Sequence, residues 1–206
     1  MSRPSIPALL FAFLLLSLPT LYGESSPPNI VLLYADDLGY TDLSCQGSDY
    51  YRTPNIDRLA KEGVTFTNAY AAAANCAPSR ASLMTGLYTP RHGVFTVGNS
   101  DRGKAAHRRL IPATNKTVLT RTLPTMAQVL KKAGYRTAVA GKWHLSDDPI
   151  PYGFDTNFGG LKWGAPKSYF SPYRNPKLKD GPKGEHLPAR LATDLCHWLR
   201  NAEEKS

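Results

Sequence analysis

Leu123-Pro124-Thr125-Met126-Ala127-Gln128-Val129-Leu130-Lys131-Lys132-Ala133-Gly134 runs into Tyr135-Arg136-Thr137-Ala138-Val139-Ala140, which leaves through Gly141-Lys142-Trp143-His144. Met126, Val129, Leu130 and Ala133 recur at helical spacing and Gly134 stops the run, so a helix is predicted there and a strand after it. The same order occurs upstream. Thr53 as N-cap, Pro54 at the first position, apolar Ile56, Leu59 and Ala60, and Gly63 as stop predict a helix. Val64 to Tyr70 then alternates like a strand. Pro28-Asn29-Ile30-Val31-Leu32-Leu33-Tyr34 is a continuous apolar run, the pattern of a strand buried on both faces of a parallel sheet. A recurring helix-then-strand rhythm predicts an α/β fold, a largely parallel central sheet flanked by helices with functional groups at the carboxyl ends of its strands.

The strand exits carry the charged residues. The first ends in Ala35-Asp36-Asp37-Leu38-Gly39, where two adjacent carboxylates suit one hard cation, calcium or magnesium. The alternative is an aspartate capping the following turn. At the exit after Ala140, Lys142 and His144 are two apart and share a side if the backbone stays extended. A cation and a titrating base suit an oxyanion; an exposed lysine and a packed histidine is the plainer reading.

Asn75-Cys76-Ala77-Pro78-Ser79-Arg80-Ala81-Ser82-Leu83-Met84-Thr85-Gly86 places a cysteine where a helix begins and a glycine where it stops. Free N–H groups and the positive end of the helix dipole favour an anion there, and Arg80 lies one turn along on the same face.

Cys76-x-Pro78-x-Arg80 followed by Ala-Ser-Leu-Met-Thr-Gly resembles the sulfatase signature, in which the cysteine is oxidised to formylglycine. Gly-Lys-Trp-His-Leu resembles the second sulfatase signature, and Thr53 to Tyr70 and Pro151 to Gly160 resemble the family's intervening segments. The resemblance covers residues 27–160 well. It implies a sulfatase or alkaline-phosphatase-like fold and hydrolysis of sulfate esters. Asp36, Asp37 and the modified Cys76 would hold Ca2+, preferred to Mg2+ through the resemblance alone; Arg80 would fix the formylglycine, Lys142 would bind sulfate, and His144 would serve the base step. It implies as partners a sulfated small molecule or glycan and a formylglycine-generating enzyme. Family members continue further, with a second histidine, a lysine and more metal ligands that cannot be placed here. Residues 24–206 therefore resemble the N-terminal part of the catalytic domain, and this chain alone is expected to bind metal poorly and turn over little sulfate ester. A phosphonate or phosphodiester hydrolase of the same superfamily, or a non-catalytic polyanion-binding fragment, are the competing readings.

The 206 residues suit one domain of ordinary composition, 42% hydrophobic and 20% charged. Residues 1–23 read as a secretory signal peptide, with Arg3, an apolar run from Ala8 to Leu16, and Leu21-Tyr22-Gly23 before cleavage. That predicts a secreted or periplasmic protein, and no stretch approaches the ~20 apolar residues of a membrane span. Removing it takes Arg3 and no acid, leaving 24 basic against 16 acidic side chains, a formal +8. Such a surface attracts polyanions, but nothing resembles a nucleic-acid module. Three cysteines make an odd count, and Cys76 is the candidate reactive thiol. Cys45 and Cys196 are read as two buried free thiols rather than a pair. Residues 86–121 and 161–187 read as irregular, with His92 on the surface and Asn115-Lys116-Thr117 as a glycosylation sequon usable in a eukaryotic host.

Overall fold

The computed structural model describes residues 27–203, so the predicted signal peptide lies outside the described residues. The chain divides into two compact units, Met1–Ala35 and Asp36–Ser206. In the first, residues 27–35 form neither helix nor strand, and Ile30, Val31, Leu32 and Leu33 are each more than half exposed. The expected buried strand over 28–34 is not formed. Apolar β-branched residues supply propensity, but a strand exists only through the ladder it makes with a neighbour.

The second unit contains helices α1 (Pro54–Glu62), α2 (Cys76–Thr85), α3 (Thr89–His92) and α4 (Met126–Lys132), strands β1 (Ala138–Ala140) and β2 (Thr156–Phe158), and helix α5 (Leu187–Glu203). Helices α1, α2 and α4 stand close to where their punctuation puts them, while α3 forms within residues 86–121, which read as irregular. Pro54 opens α1 and the Gly63 N–H closes it on the Leu59 carbonyl at 2.9 Å. The Thr53 hydroxyl makes no cap bond and donates to Asp57 Oδ1 at 2.8 Å. Helix α4 starts at Met126 because Thr125 and Gln128 form a reciprocal capping box, the Gln128 N–H on Thr125 Oγ1 at 3.2 Å and the Thr125 N–H on Gln128 Oε1 at 3.0 Å. The strand expected over 64–70 is absent; Val64, Phe66 and Tyr70 are 82%, 77% and 87% exposed, with no partner strand to cover them.

Strands β1 and β2 pair in parallel, Val139 opposite Asn157. Thr156–Phe158, where no strand is predicted, is thus a strand: its three residues carry little sequence signal and become one only because β1 lies beside them. Helix α5 packs on both strands, and Trp198 Nε1 donates to Thr156 Oγ1 at 3.1 Å. The parallel pair with flanking helices has the expected α/β character. Residues 161–186 are irregular apart from one bridge, Phe170 to His186.

The core gathers on Trp143, Tyr152 and Phe154, with ring centroids 5.4 and 5.8 Å from the indole. Their polar atoms are satisfied: Trp143 Nε1 donates to Ser146 Oγ at 2.8 Å and the Tyr152 hydroxyl to the Leu119 carbonyl at 2.6 Å. Trp143, between Lys142 and His144, is thereby the anchor that holds the β1 exit in place. Cys45 and Cys196 are free and exposed, against the expectation of burial; Cys45 sits in the 3-10 turn Ser44–Gln46 and Cys196 on α5, where the covering surface their apolar character favours is not supplied.

Asp155 ties the strand pair to α4. Its carboxylate pairs with Lys131 and accepts from the Thr137 N–H at 2.9 Å and hydroxyl at 3.0 Å. The Lys131 hydrogen bond lowers its pKa, burial opposes, and the Thr137 donors lower it further. A depressed carboxylate stabilises above the unfolded pKa of about 3.9 and loses that contribution as pH falls through the folded value. Asp155→Asn is expected to lower stability at pH 7 by about 1 kcal/mol. Urea midpoints of the variant and wild type should converge as pH falls through the depressed folded pKa of Asp155; a gap that stays constant with pH would refute the electrostatic account.

Candidate active site

Helix α2 begins at Cys76, and Ala77, Pro78, Ser79, Ala81 and Ser82 are buried, which seats its N-terminal half firmly. Asn75 is its N-cap in extended backbone, φ −138° and ψ 147°. Its amide makes no cap bond: Nδ2 donates to Thr96 Oγ1 at 3.1 Å, and Oδ1 accepts from Cys76 Sγ at 3.6 Å. The half-buried sulfur thus faces a carbonyl oxygen at a helix start.

One turn on, Arg80 Nη1 donates to the Lys142 carbonyl at 2.5 Å and Nη2 lies 3.4 Å from Asp36 Oδ1. The Lys142 ammonium pairs with Asp36 Oδ2. Asp36, Arg80 from α2 and Lys142 from the β1 exit therefore converge, although 106 residues separate the first from the last. The Arg80 and Lys142 side chains are only 12% and 20% exposed, so this pairing is better shielded than an ordinary surface ion pair. Burial pushes the Asp36 carboxyl up, but the hydrogen bond and charge of Lys142, followed by those of Arg80, hold it below the usual carboxylate range.

His144 is not on an extended exit. Its φ is +62°, in the left-handed region that costs a non-glycine residue energy and marks local strain. Its N–H donates to the Leu161 carbonyl at 2.8 Å, which stabilises the turn. The two-apart rule does not apply to this backbone, yet the ring lies within the field of Lys142, Arg80 and Asp36. Burial first, then Lys142 and Arg80, push its pKa below the ordinary histidine value, with Asp36 opposing. The imidazole is neutral at neutral pH, and its Nδ1 is buried with no hydrogen-bond partner among the described residues. Gly164 gives the ring room: a Cβ there would lie 3.0 Å from Cε1.

Asp37 is exposed with φ +55°. The two adjacent carboxylates have the hard-oxygen chemistry of a calcium or magnesium site, but both Asp36 oxygens are engaged by cations. Among the described residues no group of three or more His, Cys, Asp and Glu is arranged to hold an ion. Calcium takes six to eight oxygens; the described residues do not fit that shell by themselves.

Two polar residues that seemed peripheral in sequence hold this site's scaffold. His92 is fully buried, not on the surface: Nδ1 accepts the Val94 N–H at 3.1 Å, and Nε2 lies 3.0 Å from Ser82 Oγ on α2. With Nδ1 an acceptor, the ring proton sits on Nε2 and is donated to the serine. Asn115, the sequon residue, is a staple: Oδ1 accepts from the Phe95 and Thr96 N–H groups at 2.7 and 3.1 Å, and Nδ2 donates to the carbonyls of Thr96 and Gly98. The amide nitrogen a glycan would need is occupied in the folded loop, and that loop presents Thr96 to Asn75. His92 ends the four-residue helix α3 directly before Gly93, a position that carries no sequence signal of burial.

The family description "Sulfatase" matches residues 28–206. The chain belongs to the sulfatase family. It is 39% identical over 157 residues to N-acetylgalactosamine-6-sulfatase of Homo sapiens, covering 74% of this chain and 28% of that one. It is 45% identical over 153 residues to arylsulfatase H of Canis lupus familiaris, covering 68% and 26%. The chain thus spans about a quarter of the length of these curated sulfatases. Among solved structures it resembles Ps i-CgsB, with a TM-score of 0.68 and 28% identity over 87% of this chain and 42% of that one. These relatives place the α/β architecture and the family beyond the short motifs. Among the described residues no helix is long and apolar enough to cross a membrane.

Proposed function

We propose that this chain carries the sulfate-binding and nucleophile portion of an exported sulfatase, with Cys76 converted to formylglycine. The observation that supports it is the convergence of Arg80, from the helix that begins at Cys76, and Lys142 on one carboxylate beside the neutral His144. Two shielded cations that hold a carboxylate between them offer the charge and donors that a sulfate ester needs.

The hydrate of formylglycine would supply two hydroxyls on one carbon, one to attack sulfur and one whose deprotonation would expel sulfate as the aldehyde re-forms. The chain's own residues prepare the rest. The α2 N-terminus favours negative charge beside residue 76. Arg80 locks α2 to the Lys142 turn, so nucleophile and anion site keep one spacing. Lys142 neutralises the sulfate oxygens in exchange for Asp36. His144, held neutral, accepts a proton at a ring nitrogen. Export rests on residues 1–23, and the organic group carrying the sulfate is a small molecule or glycan.

Peptide mass spectrometry across Cys76, after co-expression with a formylglycine-generating enzyme, tests the reading. A peptide lighter than the thiol form and reactive to hydrazide is expected. A thiol left unmodified while a control sulfatase is converted in the same cells would overturn it.

A further inference from the structure

We infer that the Asn75 side-chain carbonyl holds residue 76 in its hydrated form, by accepting a hydrogen bond that the hydrate donates and the bare aldehyde cannot. The role rests on the conversion of Cys76 to formylglycine. Asn75 precedes the first signature, and no step above uses it. An asparagine at an N-cap ordinarily turns its side-chain oxygen onto the N–H of the second or third helical residue. Asn75 gives that bond up. Its Nδ2 donates instead to Thr96 Oγ1 at 3.1 Å, which leaves Oδ1 facing the half-buried Cys76 sulfur at 3.6 Å. A cap that forgoes its stabilising bond to face a reactive atom is the kind of local conflict that functional sites carry.

Thr96 is itself held in place to orient that amide. Its N–H donates to Asn115 Oδ1 at 3.1 Å and its carbonyl accepts from Asn115 Nδ2 at 3.0 Å, so the backbone is pinned on both sides. Arg102 Nη2 donates to Thr96 Oγ1 and to the Val97 carbonyl, each at 3.3 Å. The threonine oxygen therefore receives Arg102 and Asn75 together. Bonds running from Asn115 through Thr96 to Asn75 thus fix which end of the amide meets residue 76. The sulfur stands in for the oxygens that the same Cβ carries after conversion. Water adds across the aldehyde, its oxygen to carbon and one proton to the carbonyl oxygen, with nothing oxidised or reduced. Two hydroxyl donors then replace an oxygen that only accepts. Beside Oδ1 the aldehyde brings two acceptors together, whereas the hydrate donates to it, so Asn75 shifts the balance to the hydrate and orients one of its hydroxyls.

Carbon-13 NMR of the full chain, labelled at the cysteine Cβ and co-expressed with a formylglycine-generating enzyme, tests the inference without any substrate, because aldehyde and hydrate carbons resonate apart. Mass spectrometry of the same sample reports conversion. Asn75→Leu keeps the bulk and removes the acceptor. It should lower the hydrate-to-aldehyde ratio of the folded chain about fivefold, the worth of one ordinary hydrogen bond, and leave the ratio in urea unchanged. Asn75→Asp keeps an acceptor and should stay within roughly twofold of wild type. Thr96→Val frees the amide without touching residue 75; it should lower the ratio by less than Asn75→Leu, and it decides the question if the leucine variant does not fold. A wild-type ratio in the folded deciding variant, or a loss in Asn75→Asp as large as in Asn75→Leu, would overturn the role. In a converted chain either result removes the role of Asn75 alone, whereas a thiol left unconverted overturns the formylglycine reading with it.

Discussion

Gly153→Ala is expected to lose about 2–5 kcal/mol of stability, enough to leave much of a domain of ordinary stability unfolded. Gly153 has φ +106°, and a Cβ there would stand 2.5 Å from the backbone nitrogen of Gln128 and 2.8 Å from the Ala127 carbonyl carbon. Neither is the end of a flexible side chain that can swing aside. Helix α4 meets the turn after Tyr152 at this point, where Thr125 Oγ1 donates to the Tyr152 carbonyl at 2.5 Å and Thr137 Oγ1 to the Gly153 carbonyl at 2.7 Å. Relief of the clash by moving α4 would break those bonds and open the wall behind Trp143. Gly184→Ala is the control. Its φ is +82° with nothing within 4 Å of the added Cβ, so it bears the conformational cost alone, about 1–2 kcal/mol. Urea unfolding of both variants separates contact from conformation, and equal losses would refute the close approach of α4.

His92→Phe is expected to cost about 2–4 kcal/mol, because it leaves the Val94 N–H without an acceptor and the Ser82 hydroxyl without its donor in a fully buried setting. Its pH dependence has a definite sign. Burial holds the His92 pKa below the ordinary value, so the folded state keeps the ring neutral. The unfolded chain binds the proton more readily, and stability falls as pH drops below about 6.5 toward the folded pKa, with no change above. His144 adds a slope of the same sign, its pKa being lowered by burial, Lys142 and Arg80. The wild type should therefore lose stability between pH 7 and pH 5, and His92→Phe should show a shallower slope across that range. Adding Ser82→Ala should recover part of the loss, since it removes the orphaned hydroxyl. An unchanged slope with full additivity would show that the pair does not interact as described. The same contact bears on the site, because Ser82 lies on the helix that begins at Cys76.

The sequence by itself determined helices α1, α2 and α4, the cysteine at a helix start and the family, whereas α3 lies in a stretch that reads as irregular. Those features are local or are carried by contiguous residues: Pro54 and Gly63 bound α1, Thr125 and Gln128 cap α4, and Cys76, Pro78 and Arg80 are read from one short stretch. Only the tertiary structure decided which apolar runs become strands. Residues 28–34 and 64–70 have strand composition without a ladder, while Thr156–Phe158 has little composition and pairs with β1. It likewise decided the electrostatics of the site. No spacing rule brings Asp36 between Arg80 and Lys142, turns His144 into left-handed backbone, or buries His92 against Ser82. Helix signals lie within a few residues of one another, whereas ladders, ion pairs and burial are made by segments that meet only when the chain folds.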